Sequence, residues 1–190
     1  MNKTVKIIHV FGAAGSGVST LGKWLSEKYD MIFLDVDKYH WLDTPIPYTK
    51  YREPKERLEL LKKDIEKYQN VVISGAICGW GDELIPRLDL VIKVETPTNI
   101  RIKRLKKREL EKYGSRIQEG GDMYKNHLRF IRWAKVYDDG GLNVRSNRLH
   151  NHWLTKIKSK KIVIDGTLSK EDMLKIIEKD IVGWFYLIYF

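Results

Sequence analysis

The sequence predicts a three-layer α/β/α fold, a five-stranded and mostly parallel sheet with helices on both faces and a small helical insert. Three observations lead to it. Short apolar runs rich in β-branched residues alternate with amphipathic helical stretches at βαβ spacing. The first run stops at a glycine-rich turn, "GAAGSG", that leads directly into a helical pattern. Nothing in the 190 residues reads as a repeat, a low-complexity tract or a Pro/Ser-rich linker. One domain over 1–190 is therefore expected, with the insert at about 114–145.

The elements follow in order. "VKIIHVF" (5–11) is a buried strand halted by glycine. Residues 19–29 form a helix with Leu21 and Leu25 four apart on one face. "MIFLDVD" (31–37) is a second strand, ending in two aspartates. Residues 54–68 form a helix with Pro54 in its first turn and Leu58, Leu61 and Ile65 along one stripe. "NVVISG" (70–75) and "LDLVIKVE" (88–95) are the third and fourth strands. A long basic helix covers 98–113, a glycine-containing loop 114–122, and two further helices 123–137 and 143–157. "KIVIDG" (161–166) is the fifth strand. The helix at 169–181 opens on a capping box of Ser169 and Asp172.

Composition narrows the function classes. Hydrophobic residues make up 43% and charged residues 32%, enough apolar material for a core in an ordinary globular domain. The single Cys78 excludes an intrachain disulfide framework and a thiolate-rich metal site, and fits a reducing, cytoplasmic setting. Lys6 and His9 interrupt the first apolar run, against a signal peptide. The final run "GWFYLIYF" is expected to dock on the core as a helix or strand; it falls far short of the roughly 20 residues that span a bilayer, so no membrane partner is expected. The net charge of +10 is concentrated: residues 93–161 hold 19 Lys and Arg against 7 Asp and Glu. Such a stretch suits either a nucleic-acid face or a set of arginines gathered around polyphosphate.

"FGAAGSGVST" favours the second. Gly12, Gly17 and Ser19 satisfy the phosphate-loop pattern G-x-x-x-x-G-K-[ST], with Gly15 as an additional glycine and Val18 in the lysine slot. Backbone N–H groups of Gly12, Ala13, Ala14, Gly15, Ser16, Gly17 and Val18 can turn around an anion where side chains do not obstruct. The helix that follows adds the positive end of its dipole. The Ser19 hydroxyl is placed to ligate Mg²⁺ and Thr20 to donate to a phosphate oxygen. What Val18 removes is a point charge worth several kcal/mol in a phosphoryl-transfer transition state. In parallel sheets the ligand lies at the carboxyl ends of the strands, which adds Asp35, Asp37, Ser74, Gly75, Glu95 to Pro97 and Asp165 to Thr167 to the site.

The motifs "FGAAGSGVSTLG", "FLDVDKYHW", "VVISGAICGWGDELIPRLDLVIKVETP" and "IDGTLSKEDML" resemble the P-loop small-molecule kinases of the adenylate kinase and shikimate kinase branch. They look most like a bacterial adenylate-kinase-like group in which the loop lysine is itself replaced. The resemblance runs along essentially the whole chain and implies a P-loop NTPase fold with a helical lid. It also implies ATP and Mg²⁺ as cofactors, and a nucleotide and a small-molecule acceptor as partners. By the same resemblance Asp35 helps hold Mg²⁺ and Asp37 meets the acceptor. Arg101, Arg104 and Arg108 match the arginine-bearing helix leading into the lid, with Arg104 and Arg108 acting on the transferring group. Asp165, Gly166 and Thr167 match the loop that packs on adenine. Ser74 stands where many relatives carry an acidic residue.

The remaining candidates come from position. Arg52 precedes a helix near the two aspartates and is expected to contact the acceptor, with Gly75 and Trp80 in the adjoining turn and Arg145 reaching in from the lid side. Trp41, Tyr48 and Trp80 are candidates to stack on a planar ligand. Asp138 and Asp139 are positioned to hold a lid arginine, and Arg148 to face phosphate. The five histidines show no metal-binding spacing. Two acceptor chemistries stay open. A hydroxyl acceptor uses Asp37 as base, whereas a phosphate acceptor, such as a nucleoside monophosphate, needs no base and relies on Arg52. The alternatives to a kinase are a nucleotide-binding protein without efficient catalysis and, third, a nucleic-acid-binding protein.

Overall fold

A computed structural model describes residues 6–185. The first five residues and most of the apolar run at 183–190, including the docking role expected for it, lie outside the described residues. Five strands, β1 (Ile7–Gly12), β2 (Ile32–Asp35), β3 (Val71–Ser74), β4 (Leu90–Glu95) and β5 (Lys160–Asp165), pair in the order β2-β3-β1-β4-β5. Every pairing is parallel. β1 is central and buried along its whole length, which is why its sequence is a continuous apolar run rather than an alternating one.

The helices are α1 (Val18–Lys28), α2 (Val36–His40), α3 (Pro54–Tyr68), α4 (Thr98–Tyr113), α5 (Tyr124–Lys135), α6 (Asn147–Thr155) and α7 (Lys170–Phe185). Their apolar stripes build a core on each face of the sheet. Leu58, Leu61 and Ile65 of α3 and Trp153 of α6 pack with Ile7 and Phe11 on one side. Leu21 and Leu25 of α1 and Leu174 and Ile177 of α7 pack with Ile8, Val10 and Ile92 on the other. A small third cluster joins Ile102 and Leu105 of α4 to Ile131 and Ala134 of α5, and Ala14 of the glycine loop packs against it. The capping box at α7 forms as expected, with Asp172 N–H donating to Ser169 Oγ at 3.1 Å. No helix of the described residues is long and apolar enough to cross a membrane.

Two local departures bear on the site. The strand expected over 31–37 ends at Asp35, and Asp37 lies in the first turn of α2 instead. Asp35 itself stops the strand: its carboxylate accepts from the Asp37 N–H at 3.0 Å, an N-cap bond that turns the chain into a helix. The helix expected from 143 begins at Asn147, because Ser146 caps it and Leu149 N–H donates to Ser146 Oγ at 3.0 Å. The register aligns Asp35 with Ser74 and Ser74 with Val10, so the ends of β2, β3 and β1 meet beside Gly12.

Two buried polar groups hold α6 against the sheet. Lys93 Nζ, in the middle of β4, donates to Glu95, to Asn147 Oδ1 at 2.7 Å and to Asn151 Oδ1 at 2.6 Å. His150 is fully buried, with Nδ1 2.7 Å from the Tyr137 hydroxyl. Burial, then the charges of Arg145 and Lys93, push His150 down to about 3. Burial lowers His9 to about 4, and burial with Arg57 and Arg145 lowers His40 to about 4. All three are neutral in the fold, whereas an unfolded histidine titrates near 6.5. Between those values the unfolded chain binds more protons, so stability falls as pH drops from about 6.5 toward 4. The urea midpoint is expected to be lower at pH 5 than at pH 7, and His9→Gln to reduce that difference. A midpoint unchanged over this range contradicts the three neutral rings.

Candidate active site

The glycine loop runs from Gly12 to Ser19, between the end of β1 and the start of α1. A side chain at Gly12 would collide with the Val94 carbonyl. At Gly15, φ is +81° and a Cβ would lie 2.7 Å from the Arg101 carbonyl oxygen. These two positions admit only glycine, for space at the first and for both space and backbone conformation at the second. Gly17 precedes α1 with φ +103° and no side-chain cap, so the first-turn N–H groups of α1 stay open to an anion. Ser19 and Thr20 are exposed in that turn, while Ser16 Oγ is buried in the loop without a partner. Val18 is half-buried and packs on the apolar cluster shared by α1 and α7.

The wall behind the loop is made by β4, α4 and the turn after β5. Thr96 Oγ1 donates to Ser16 O at 3.0 Å. Arg101, expected among the nucleotide ligands, is fully buried. Its guanidinium donates to Thr96 O at 3.0 Å, Ala14 O at 3.4 Å, Ala134 O at 3.1 Å and Thr98 Oγ1 at 2.6 Å, and pairs with Asp138 at 3.2 Å. The correction has a simple cause: the first turn of α4 abuts the loop, so Arg101 braces loop backbone from behind and has no donor left for a phosphate. Asp138 holds this structural arginine of α4 and not one of the lid.

Arg104 and Arg108 stand on the solvent side of α4. Arg104 Nη1 donates to Gly166 O at 3.0 Å and lies 4.0 Å from where a Cβ on Gly17 would be. Gly166 is pressed against Ser16 O and Thr96 Oγ1. Arg104, Gly17 and the 165–167 turn therefore form one edge of the loop. Thr167 N–H donates to Asp165 Oδ1 at 2.8 Å, and this bond holds the Asp165 carboxyl below its usual range. Arg108, a turn further along, is exposed and only 4.0 Å from Glu109. A cleft of 410 Å³ opens beside the loop, lined by Ala13, Thr96, Pro97, Tyr137, Asn147 and Asp165.

On the opposite side lie the aspartates. Asp35 is half-buried; burial pushes its carboxyl up, as does Asp37, while the Asp37 N–H, Lys38 and Lys23 pull it down. Asp37 is exposed. Gly75, at φ +120°, meets Val36, and its carbonyl accepts from His9 Nε2 at 2.8 Å. Arg52 is turned largely to the backbone of α2. Its Nη1 donates to the carbonyls of Lys38 at 3.0 Å, Tyr39 at 3.2 Å and Trp41 at 3.1 Å, and its Nε pairs with Glu56 at 3.1 Å. The C-terminus of the five-residue α2 offers unsatisfied carbonyls, and Arg52 is the donor that satisfies them.

Of the three candidate stacking rings, Trp80 packs on the core, with Arg57 6.0 Å from its centroid. Trp41 and Tyr48 meet edge to face at 5.6 Å. Arg145 reaches the loop itself, with Nη2 donating to Gly12 O at 3.2 Å. Sequence reasoning passed over Arg57, which donates through Nε to Arg52 O at 2.6 Å and lies 2.9 Å from His40 Nδ1. It also passed over Trp133, which stacks on Phe130 and lies under Arg145. The i, i+3 spacing of Phe130 and Trp133 on a predicted helix was the available signal.

Fold and loop together define a P-loop kinase-like NTPase. A family model described as "AAA domain" matches residues 8–127, and the chain belongs to that family. It is 42% identical to the uncharacterized protein YqaC of Bacillus subtilis over 86% of this chain and 90% of that one. It is 34% identical to a cytidylate kinase of Pyrococcus horikoshii over 57% of this chain, and spans only 60% of that protein. Among solved structures, shikimate kinase of Acinetobacter baumannii with shikimate superposes with a TM-score of 0.52 at 16% identity, covering 95% of each chain. A sugar kinase of Janibacter sp. follows with a TM-score of 0.50 at 15% identity, over 93% of this chain and 94% of that one. These two likenesses concern the fold.

Proposed function

We propose that the chain is an ATP-dependent phosphotransferase that moves the terminal phosphoryl group of ATP to a small acceptor bearing a hydroxyl. The observation that carries the reading is the open glycine cradle, running into an uncapped α1, with the Asp35 carboxylate brought to the neighbouring strand end by the sheet register. Loop N–H groups from Gly12 to Val18 and the dipole of α1 hold the phosphates of the donor. Arg104 and Arg108 neutralise charge on the transferring group from the α4 side. The 165–167 turn and Arg104 border the nucleotide. The hydroxyl of Ser19 and the carboxylate of Asp35 are hard oxygen donors of the kind Mg²⁺ takes beside substrate phosphates, and the ion would supply charge neutralisation there. Asp37, exposed in the first turn of α2, accepts the hydroxyl proton or orients it.

The acceptor follows from what surrounds the aspartates. A phosphate acceptor needs a guanidinium, yet Arg52 is committed to α2 carbonyls and Arg57 to Arg52 O and His40. Two adjacent carboxylates also repel a dianion. An uncharged alcohol meets neither obstacle, and Trp41 and Tyr48 offer it apolar contact. The chain would therefore part from its cytidylate kinase relatives in acceptor.

Ser19→Ala is expected to weaken Mg²⁺-dependent ATP binding about tenfold and to remove turnover in an acceptor screen. Calorimetry with and without Mg²⁺ reads the first effect. Wild-type protein that binds no ATP at millimolar concentration would sink the reading. Binding without any product would leave a nucleotide-binding protein that lacks efficient catalysis.

A further inference from the structure

The loop lacks its lysine, yet a cation stands at the loop. Positions 18 and 145 converge on Gly12. The Val18 Cγ2 methyl lies 3.2 Å from where a Cβ on Gly12 would be, and Arg145 Nη2 donates to the Gly12 carbonyl at 3.2 Å. We propose that Arg145 supplies the positive charge that a lysine at position 18 would bring to the terminal phosphate of the bound nucleotide. The proposal rests on the nucleotide-binding reading above and extends it to one residue of the lid side.

Four features of Arg145 support it. Its Nε is buried and has no hydrogen-bond partner, although an arginine N–H is an obligate donor. No carboxylate of the described residues pairs with it within salt-bridge distance, so a partly buried guanidinium is left without a counter-charge. Such a charge is costly unless an anion completes it. Its position is fixed on both sides: the guanidinium lies 5.6 Å from the Trp133 ring centroid, and the next residue, Ser146, caps α6 and donates to Gly141 O at 2.7 Å. Lastly, the groups on which its charge bears include Tyr137, His40 and His150, all neutral near pH 7, so none of them supplies the missing anion.

The other cations near the loop have different stations. Arg104 is tied to Gly166 O beside Gly17. Lys23 sits 5.8 Å from the Phe33 ring centroid and acts on Asp35. Arg101 is enclosed behind the loop. Only Arg145 among these touches the Gly12 carbonyl, and the Val18 methyl lies near the same residue, on the side a Gly12 Cβ would take. A fork of N–H groups suits phosphate oxygens at least as well as an ammonium.

A double-mutant cycle tests this, with Mg·ATP and Mg·ADP affinities measured by calorimetry on wild type, Arg145→Met, Val18→Lys and the double variant. Arg145→Met is expected to weaken ATP about 10- to 100-fold and ADP less, since the lost contact is to the terminal phosphate. Val18→Lys alone should change ATP affinity less than threefold, because the charge is already present. In the Arg145→Met background the same substitution should restore at least half of the lost affinity on a logarithmic scale. Additive effects of the two changes would overturn the proposal, since independent sites add and shared ones do not. So would ATP affinity unaffected by Arg145→Met. If Arg145→Met does not fold, Arg145→Gln and Arg145→Lys take its place, with Lys expected to retain the ATP-over-ADP preference and Gln to lose it; equal loss in both overturns it. Wild type that binds neither nucleotide would instead strike the proposed function, a result distinct from all of these.

Discussion

Arg101→Met is expected to lower the stability of the protein by about 3–5 kcal/mol, the scale of several buried carbonyls losing their only side-chain donor. Methionine keeps most of the volume, so the loss comes from unmade hydrogen bonds. The carbonyls of Thr96, Ala14 and Ala134 lose a donor, and each such buried acceptor costs about 1–3 kcal/mol. Asp138, half exposed, recovers water and contributes least. The Arg101 guanidinium also lies 5.2 Å from the Tyr137 ring centroid, and that cation–π contact goes with it. For a chain of this size the Tm should fall by roughly 10 °C. Nucleotide affinity should fall as well, because Ala14 is part of the loop and its carbonyl is one of the three released. Arg101→Lys separates bracing from direct contact. An ammonium keeps the charge but cannot span four acceptors in a plane, so lysine should recover little stability. A variant with native Tm and impaired ATP binding alone would show that Arg101 is a nucleotide ligand after all.

Arg101 also illustrates which parts of the molecule the sequence discloses. Arg101, Arg104 and Arg108 share a helix face by spacing, and spacing cannot say that the first of them meets the loop while the last faces solvent. That difference arises from where α4 begins against β4 and the loop, which is a property of packing. Arg52 has the same history: its proximity to the aspartates is visible in the chain, but its three carbonyl acceptors exist only once α2 has formed. α2 was hidden in turn because "FLDVD" continues an apolar strand, and the turn depends on one carboxylate–N–H bond at Asp35.

The sheet, by contrast, was readable at its centre, where a parallel strand buried on both faces needs a continuous apolar run, and less so at its edge, where β2 stops at Asp35. Its helices announced themselves by stripes such as Leu58, Leu61 and Ile65, all of which are buried. The phosphate loop was equally plain, because glycine is required at Gly12 and Gly15 by backbone geometry. Lys93 carried a legible signal that was passed over. A lysine inside "LVIKVE" must either end the strand or find buried acceptors, and Asn147 and Asn151 of a distant helix provide them.

Asp35→Asn should slow phosphoryl transfer by orders of magnitude and stabilise the fold. The two effects have opposite signs because Asp35 is held in a setting that disfavours its charge. Burial is the larger cause and the neighbouring Asp37 carboxylate adds to it, so the carboxyl titrates above its usual value. A group whose folded value is raised binds more protons in the folded state, and stability therefore falls as pH rises through the unfolded and then the folded value. Near neutral pH the ionised carboxylate is a net cost. Asparagine removes that cost and keeps the oxygen that accepts the Asp37 N–H, so the cap on α2 survives. Tm at pH 7 should rise rather than fall. Turnover should drop by about 10²–10⁴-fold, the scale of losing a positioned charged group at the reacting centre. Thermal melts and a steady-state assay on the same preparation decide the matter. If Tm and turnover fell together, Asp35 would be a structural cap and the acceptor side of the site would have to be sought elsewhere. If turnover persisted, the carboxylate would have no part in the chemistry, and its retention in a destabilising position would have no explanation in the proposed function.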